Sequence, residues 1–109
     1  MAYDEGLAER VRALISLRED VTERKMFGGI AWMLAGNMAC GVIGEEVIVR
    51  VAREDYENAL GEPHVRQFDF TGRPMRGFVS ITPEGTADEE ELAGWVDAGA
   101  DYAGTLPAK

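Results

Sequence analysis

The chain has 109 residues, 46% hydrophobic and 28% charged. That length argues for one domain, spanning 1–109, and the apolar content argues for a packed core rather than disorder. Twenty acids against eleven bases give a net charge of −9, which disfavours nucleic acid and anionic membrane surfaces, because both are gripped through positive charge.

Residues 4–18 read as an amphipathic helix. Tyr3, Leu7, Val11, Leu14 and Ile15 form one apolar stripe, and Asp4 and Glu5 suit its N-terminal end. The period then changes. Val21–Phe27 is β-compatible and is interrupted by Gly28-Gly29. Residues 30–34, 38–43 and 47–51 are short apolar or β-branched runs, separated by Gly36-Asn37 and Gly44-Glu45-Glu46. Connections this short imply antiparallel pairing, so the segment reads as a three-stranded meander. Residues 53–61 suit a short helix, which Pro63 prevents from continuing. Val65–Phe70 is a fourth strand, Thr71–Arg76 a loop, and Gly77–Ile81 a fifth strand. Thr86 followed by Glu89 fits a capping box opening a helix over about residues 87–103, with Leu92, Trp95, Val96, Gly99, Tyr102 and Ala103 on one side.

The order is α-β-β-β-α-β-β-α. It implies an α+β, two-layer domain: a five-stranded antiparallel sheet with helices on one face. Residues 30–34 and 38–43 are apolar on both faces, which a strand with one wet face is not. Either a helix wraps round them or the second face meets a partner, and a homodimer is one expectation.

No apolar run approaches the ~20 residues that cross a bilayer. The acidic start resembles neither a signal nor a transit peptide, so a cytoplasmic protein is expected. Cys40 stands alone, which rules out an internal disulfide, and one Cys with one His (His64) cannot fill a zinc site. No cofactor is expected.

The charge is uneven. Residues 21–83 carry eight acids and seven bases, whereas residues 84–109 carry seven acids and one base. The middle can therefore present a basic face, while the last helix reads as a solvated acidic surface. Lys25-Met26-Phe27-Gly28-Gly29 is either a ligand or partner site edged by Lys25 and Phe27, or a bulge bending the first strand into the second. It is not a phosphate loop, because the lysine precedes the glycines. Cys40 with His64 lacks an orienting third group and reads as an inert buried thiol. Arg73-Pro74-Met75-Arg76-Gly77-Phe78-Val79 partly echoes an RNA-recognition motif, but the element order differs. The alternatives are an exposed loop offering two guanidinium groups to an acidic partner or to phosphate, and a plain loop salt-bridged to the acidic helix. No catalytic constellation is evident.

Taken in order, Lys25-Met26-Phe27-Gly28-Gly29, Gly36-Asn37-Met38-Ala39-Cys40-Gly41-Val42, Val49-Arg50-Val51, Phe70-Thr71-Gly72-Arg73-Pro74-Met75-Arg76-Gly77-Phe78-Val79 and Trp95-Val96 resemble the N-terminal domain of the TfoX/Sxy family, over a core of about residues 3–104. The resemblance implies an α+β fold similar to type III secretion chaperones and a role in regulating natural competence. Full-length regulators of that family carry a second, C-terminal helical domain; this chain, ending at Lys109, is expected to act as a stand-alone N-terminal-like domain. The family supplies no catalytic residues. The expectation is a non-enzymatic interaction domain that binds a protein partner, with Lys25, Phe27, Gly28, Gly29, Arg50, Arg73, Met75 and Arg76 as its candidate surface. The alternatives are a direct DNA-binding transcriptional regulator, which would bind with steep salt dependence, and a small-ligand-binding protein.

Overall fold

The structure is a computed structural model and describes residues 3–26, 28–70 and 72–108. Helix α1 (Glu5–Ile15) is followed by strands β1 (Val21–Met26), β2 (Gly29–Leu34), β3 (Asn37–Ile43) and β4 (Glu46–Arg50). A 3-10 turn (Arg53–Asp55) runs into α2 (Tyr56–Leu60), then β5 (Val65–Phe70), β6 (Arg73–Ile81), α3 (Pro83–Thr86) and α4 (Glu89–Gly104). One antiparallel sheet holds six strands in the order β1-β2-β3-β4-β6-β5. The sixth strand, beyond the five expected, is β1. Its Glu23-Arg24-Lys25 run has no apolar periodicity, and it forms as an edge strand paired with β2 alone.

Helices α1 and α4 cover one face. Leu7, Ala8, Val11 and Ile15 of α1 and Leu92, Val96, Ala100 and Ala103 of α4 close on Ile30, Trp32, Val42, Val47, Val49, Val79 and Ile81. Asp4 caps α1 by accepting from the Leu7 amide at 3.0 Å. Arginines of α1 meet the acidic side of α4: Arg10 pairs with Glu89 at 2.9 Å, and Arg18 with Asp97 and Asp101 at 3.2 and 2.7 Å.

Two irregularities break the strict two-residue period. The first lies between β2 and β3. Trp32 pairs with Cys40 while Met33 pairs with Met38, so Ala39 is an extra residue. Ala39 and Cys40 consequently join the helix-covered core together. The bulge also brings the Ala39 carbonyl against α4, where a Cβ on Gly99 would stand 2.5 Å from its oxygen; Gly99 is what lets the helix sit this close. The second lies between β5 and β6. Gln67 pairs with Val79 and Asp69 with Pro74, which leaves Met75, Arg76, Gly77 and Phe78 opposite Phe68 alone. Gly77 supplies the left-handed backbone this bend needs (φ +97°).

That second bulge corrects the expected loop over Thr71–Arg76. Strand β6 begins at Arg73, and the turn contracts around Gly72. Pro74 is tolerated there because β4 pairs only with Phe78–Ile81, leaving the start of β6 with one neighbouring strand. The capping box is also corrected. Pro83 starts a separate helical turn that ends at Thr86, which is buried, and α4 is capped by Asp88, accepting from the Glu90 amide at 3.1 Å. The Thr86 carbonyl is engaged by Arg10 at 2.7 Å.

Among the described residues, no helix wraps the second face of these strands. On the face away from the main helices, Ala31, Met33, Met38, Ile48 and Phe68 are buried against one another, with Met26, Ile43, Met75 and Phe78 half-buried around them. Side chains, not a helix, close this second cluster.

Candidate functional site

The sheet separates the candidate residues into two groups at opposite ends of its strands. At one end lie Lys25, exposed on β1, and Gly28-Gly29. Phe27 lies outside the described residues. Met26 pairs with Gly29, so the double glycine closes a tight hairpin and is not a bulge. Gly28 takes the left-handed conformation (φ +77°), and a Cβ on Gly29 would strike the Val42 carbonyl. The path of the backbone accounts for the two glycines.

At the other end, the structure brings Arg50 and Arg76 together. Arg50 ends β4 and stands opposite Phe78 of β6, its guanidinium carbon 5.2 Å from that ring's centre. It donates to the Met38 carbonyl at 3.2 Å. The β6 bulge, anchored where the Val51 amide donates to the Gly77 carbonyl at 2.8 Å, turns Arg76 into the same space. Arg53 enters from the 3-10 turn, Tyr56 from α2 and Tyr102 from α4. Together they line a cleft of about 550 Å³. Among the described residues, Glu57 is the one carboxylate in its wall.

Elsewhere the arginines of α1 and β5 face carboxylates: Arg10 meets Glu89, Arg12 meets Glu9 and Glu23, Arg18 meets Asp97 and Asp101, and Arg66 meets Glu46. Among the described residues, Arg50, Arg53 and Arg76 make no ion pair. Of the loop's two arginines, Arg76 makes no ion pair with the acidic helix among the described residues, while Arg10 and Arg18 of α1 pair with Glu89, Asp97 and Asp101 of α4. Tyr56 is only 7% exposed, and its hydroxyl is buried without a hydrogen-bond partner among the described residues. A buried hydroxyl left unpaired is costly, and such groups ask for an explanation.

Met75 falls on the second sheet face, packed on the cluster of Met33, Met38, Ile48 and Phe68. Arg73 starts β6, and its side chain lies outside those described. Arg53, Tyr56 and Tyr102 were not singled out from the sequence. The signal available was the Arg50-x-x-Arg53-x-x-Tyr56 spacing leaving a strand, which carries meaning only once the β6 bulge is known to point Arg76 there.

Cys40 and His64 do not meet as a nucleophile and base. Cys40 is sealed in the helix-covered core, where burial pushes its thiol up to about 12. His64 is exposed before β5, its Cβ near Gly85. No group of three or more His, Cys, Asp or Glu side chains placed to hold a metal occurs among the described residues. Among those residues, no helix is long and apolar enough to cross a membrane.

The family model of the TfoX N-terminal domain matches residues 13–103. No curated protein matches the chain.

Proposed function

The chain belongs to the TfoX N-terminal domain family, and from that premise we propose that it is a non-enzymatic regulatory domain of the cytoplasm that acts by binding a protein partner in the control of transcription or competence. The observation that supports this reading is the second sheet face. Met26, Met33, Met38 and Met75, every methionine after the first residue, gather there with Phe68 and Phe78, away from α1 and α4. Methionine is flexible and polarizable, and it suits surfaces that repack around a partner. Met26, Ile43, Met75 and Phe78 form the accessible rim.

The test is capture of partners by the tagged protein from its native lysate, with and without nuclease, beside a Met26→Ser/Met75→Ser variant. The reading expects a specific protein that survives nuclease and is lost with the variant. Capture unchanged by the variant removes the second face from the reading. Recovery abolished by nuclease favours the DNA-binding alternative. A second copy of the chain is itself a candidate partner, and sedimentation at micromolar concentration reads it directly.

A further inference from the structure

We propose that the cleft of Arg50, Arg53 and Arg76 is a binding site for a small organic oxyanion, a phosphate or carboxylate carried on an aromatic or apolar body. Three features of the cleft converge on this ligand class.

The first is charge. In a chain of net −9, three arginines from three separate elements line one cavity against a single carboxylate, and none makes an ion pair among the described residues. Like charges are not gathered without cost. Arg10, Arg12, Arg18 and Arg66 each meet a carboxylate, and Arg24 of the edge strand stands unpaired in solvent among the described residues, whereas the cleft gathers its three unpaired arginines in one place. Guanidinium groups are the donors that match phosphate and carboxylate oxygens two at a time.

The second is Tyr56, which lines the cleft while its hydroxyl lies sealed behind the wall with no partner among the described residues. A small opening of the wall on binding would let an oxyanion oxygen supply the acceptor it lacks.

The third is shape. The volume of about 550 Å³ falls within the range of small-molecule sites. Phe78 and Tyr102 give it aromatic walls. Arg50, Val51 and Tyr102 also line a neighbouring groove of about 530 Å³ between α2 and α4, floored by Ala59, Trp95 and Ala98. That groove is rimmed by Asp55, Glu62 and Asp101. The charged end of a ligand therefore sits among the arginines, with its apolar body directed toward Val51 and Trp95. The acidic surface beyond the cleft repels an extended polyanion, whereas a small anion meets only the local charge. The β6 bulge, which places Arg76 here, is the kind of irregularity that re-aims a side chain at a site.

The inference goes beyond the partner-binding reading and is tested without it. Phenyl phosphate, phenylacetate and neutral benzyl alcohol are titrated into the 15N-labelled protein, and amide shifts are followed. The expected result is saturable shifts at Val51, Gly77 and Tyr102 with at least one of the two anions and none with benzyl alcohol. Arg53→Gln/Arg76→Gln should weaken that binding at least tenfold. Both side chains are exposed and make no ion pair among the described residues, so the variant is expected to keep the wild-type spectrum elsewhere. Tyr56→Phe should weaken anion binding without lowering the melting temperature, a result that a purely structural hydroxyl would not give. No saturable shift with either anion up to 10 mM on the order of weak fragment affinity, or shifts that survive the double arginine variant, overturns the proposal. So does a short DNA duplex that binds through these arginines while both small anions fail.

Discussion

On the helix-covered face of the sheet, Val42, Val47, Val49 and Val79 are closed to solvent beneath α1 and α4. On the other face, Met33 and Met38 do the covering themselves, over Ala31 and Ile48. The first face is built from β-branched side chains with few rotamers, locked by a helix that approaches the Ala39 carbonyl through Gly99. The second is built from thioethers that fill gaps by bending. One sheet thus has a face specified by rigid packing and a face that can repack, and the difference is what permits a binding surface on a stable fold.

Reagent access should separate the two faces most strongly. Cys40 lies in the sealed core with its thiol pushed up to about 12, so at pH 8 its thiolate fraction is on the order of a thousandfold below that of an ordinary thiol. Disulfide reagents should leave the native protein unlabelled and react only on unfolding. Dilute peroxide should oxidise Met26 and Met75 on the half-buried rim of the other face while Cys40 stays intact. Peptide mapping reads both, and rapid native labelling of Cys40 would break the contrast.

Truncation should show a smaller difference of the same sign. Leu92→Ala empties a site walled by rigid neighbours and should cost about 3–5 kcal/mol; Met33→Ala should fall near about 2 kcal/mol, because the surrounding methionines can collapse into the space. Urea unfolding measures both, and equal costs would show that the second face is as rigid as the first.

The sequence carried the elements that have a clean period: α1, the β2-β3-β4 meander, β5 and the body of α4. It also carried the two-faced apolar character of residues 30–43. What it did not carry was the consequence of one extra residue. The Ala39 bulge turns two consecutive side chains to one face, and the Met75–Phe78 bulge converts an apparent Gly/Pro loop into strand while sending Arg76 and Met75 to different surfaces. A two-residue period cannot register either event. The cleft was half legible for the same reason. Arg50 and Arg76 stood out as charges, but Arg53, Tyr56 and Tyr102 join them only through β4-β6 pairing and the placement of α4. The strand β1 was legible as β-compatible but stayed outside the strand count, for an energetic reason. Its charged residues keep an edge strand from pairing with other chains, and this removes the alternation by which strands are recognised.

The smallest effect concerns how that edge strand is tied to the sealed face. Glu23 of β1 accepts from Arg12 of α1 at 2.7 Å and from the Trp32 indole N–H at 2.9 Å, with Arg12 itself 6.0 Å from the centre of the Trp32 ring. The Arg12 hydrogen bonds hold the Glu23 carboxyl below its ordinary value, with the Trp32 bond acting in the same direction. A carboxylate whose folded pKa is depressed stabilises the fold above its unfolded value of about 4.3 and loses that contribution as pH falls through the folded value. Both partners remain more than a third exposed, 37% and 40%, so screening limits the pair to about 0.5–1 kcal/mol. Glu23→Gln keeps an acceptor for Trp32 while removing the charge and one of the two oxygens that accept from Arg12. It should cost that amount at pH 7 and less as the pH is lowered, until the two proteins converge below the folded pKa of Glu23. Urea midpoints taken from pH 7 to pH 3 would show it, and a gap that stays constant across the range would place the stabilisation in the shape of the side chain, leaving its charge without a role in fastening β1.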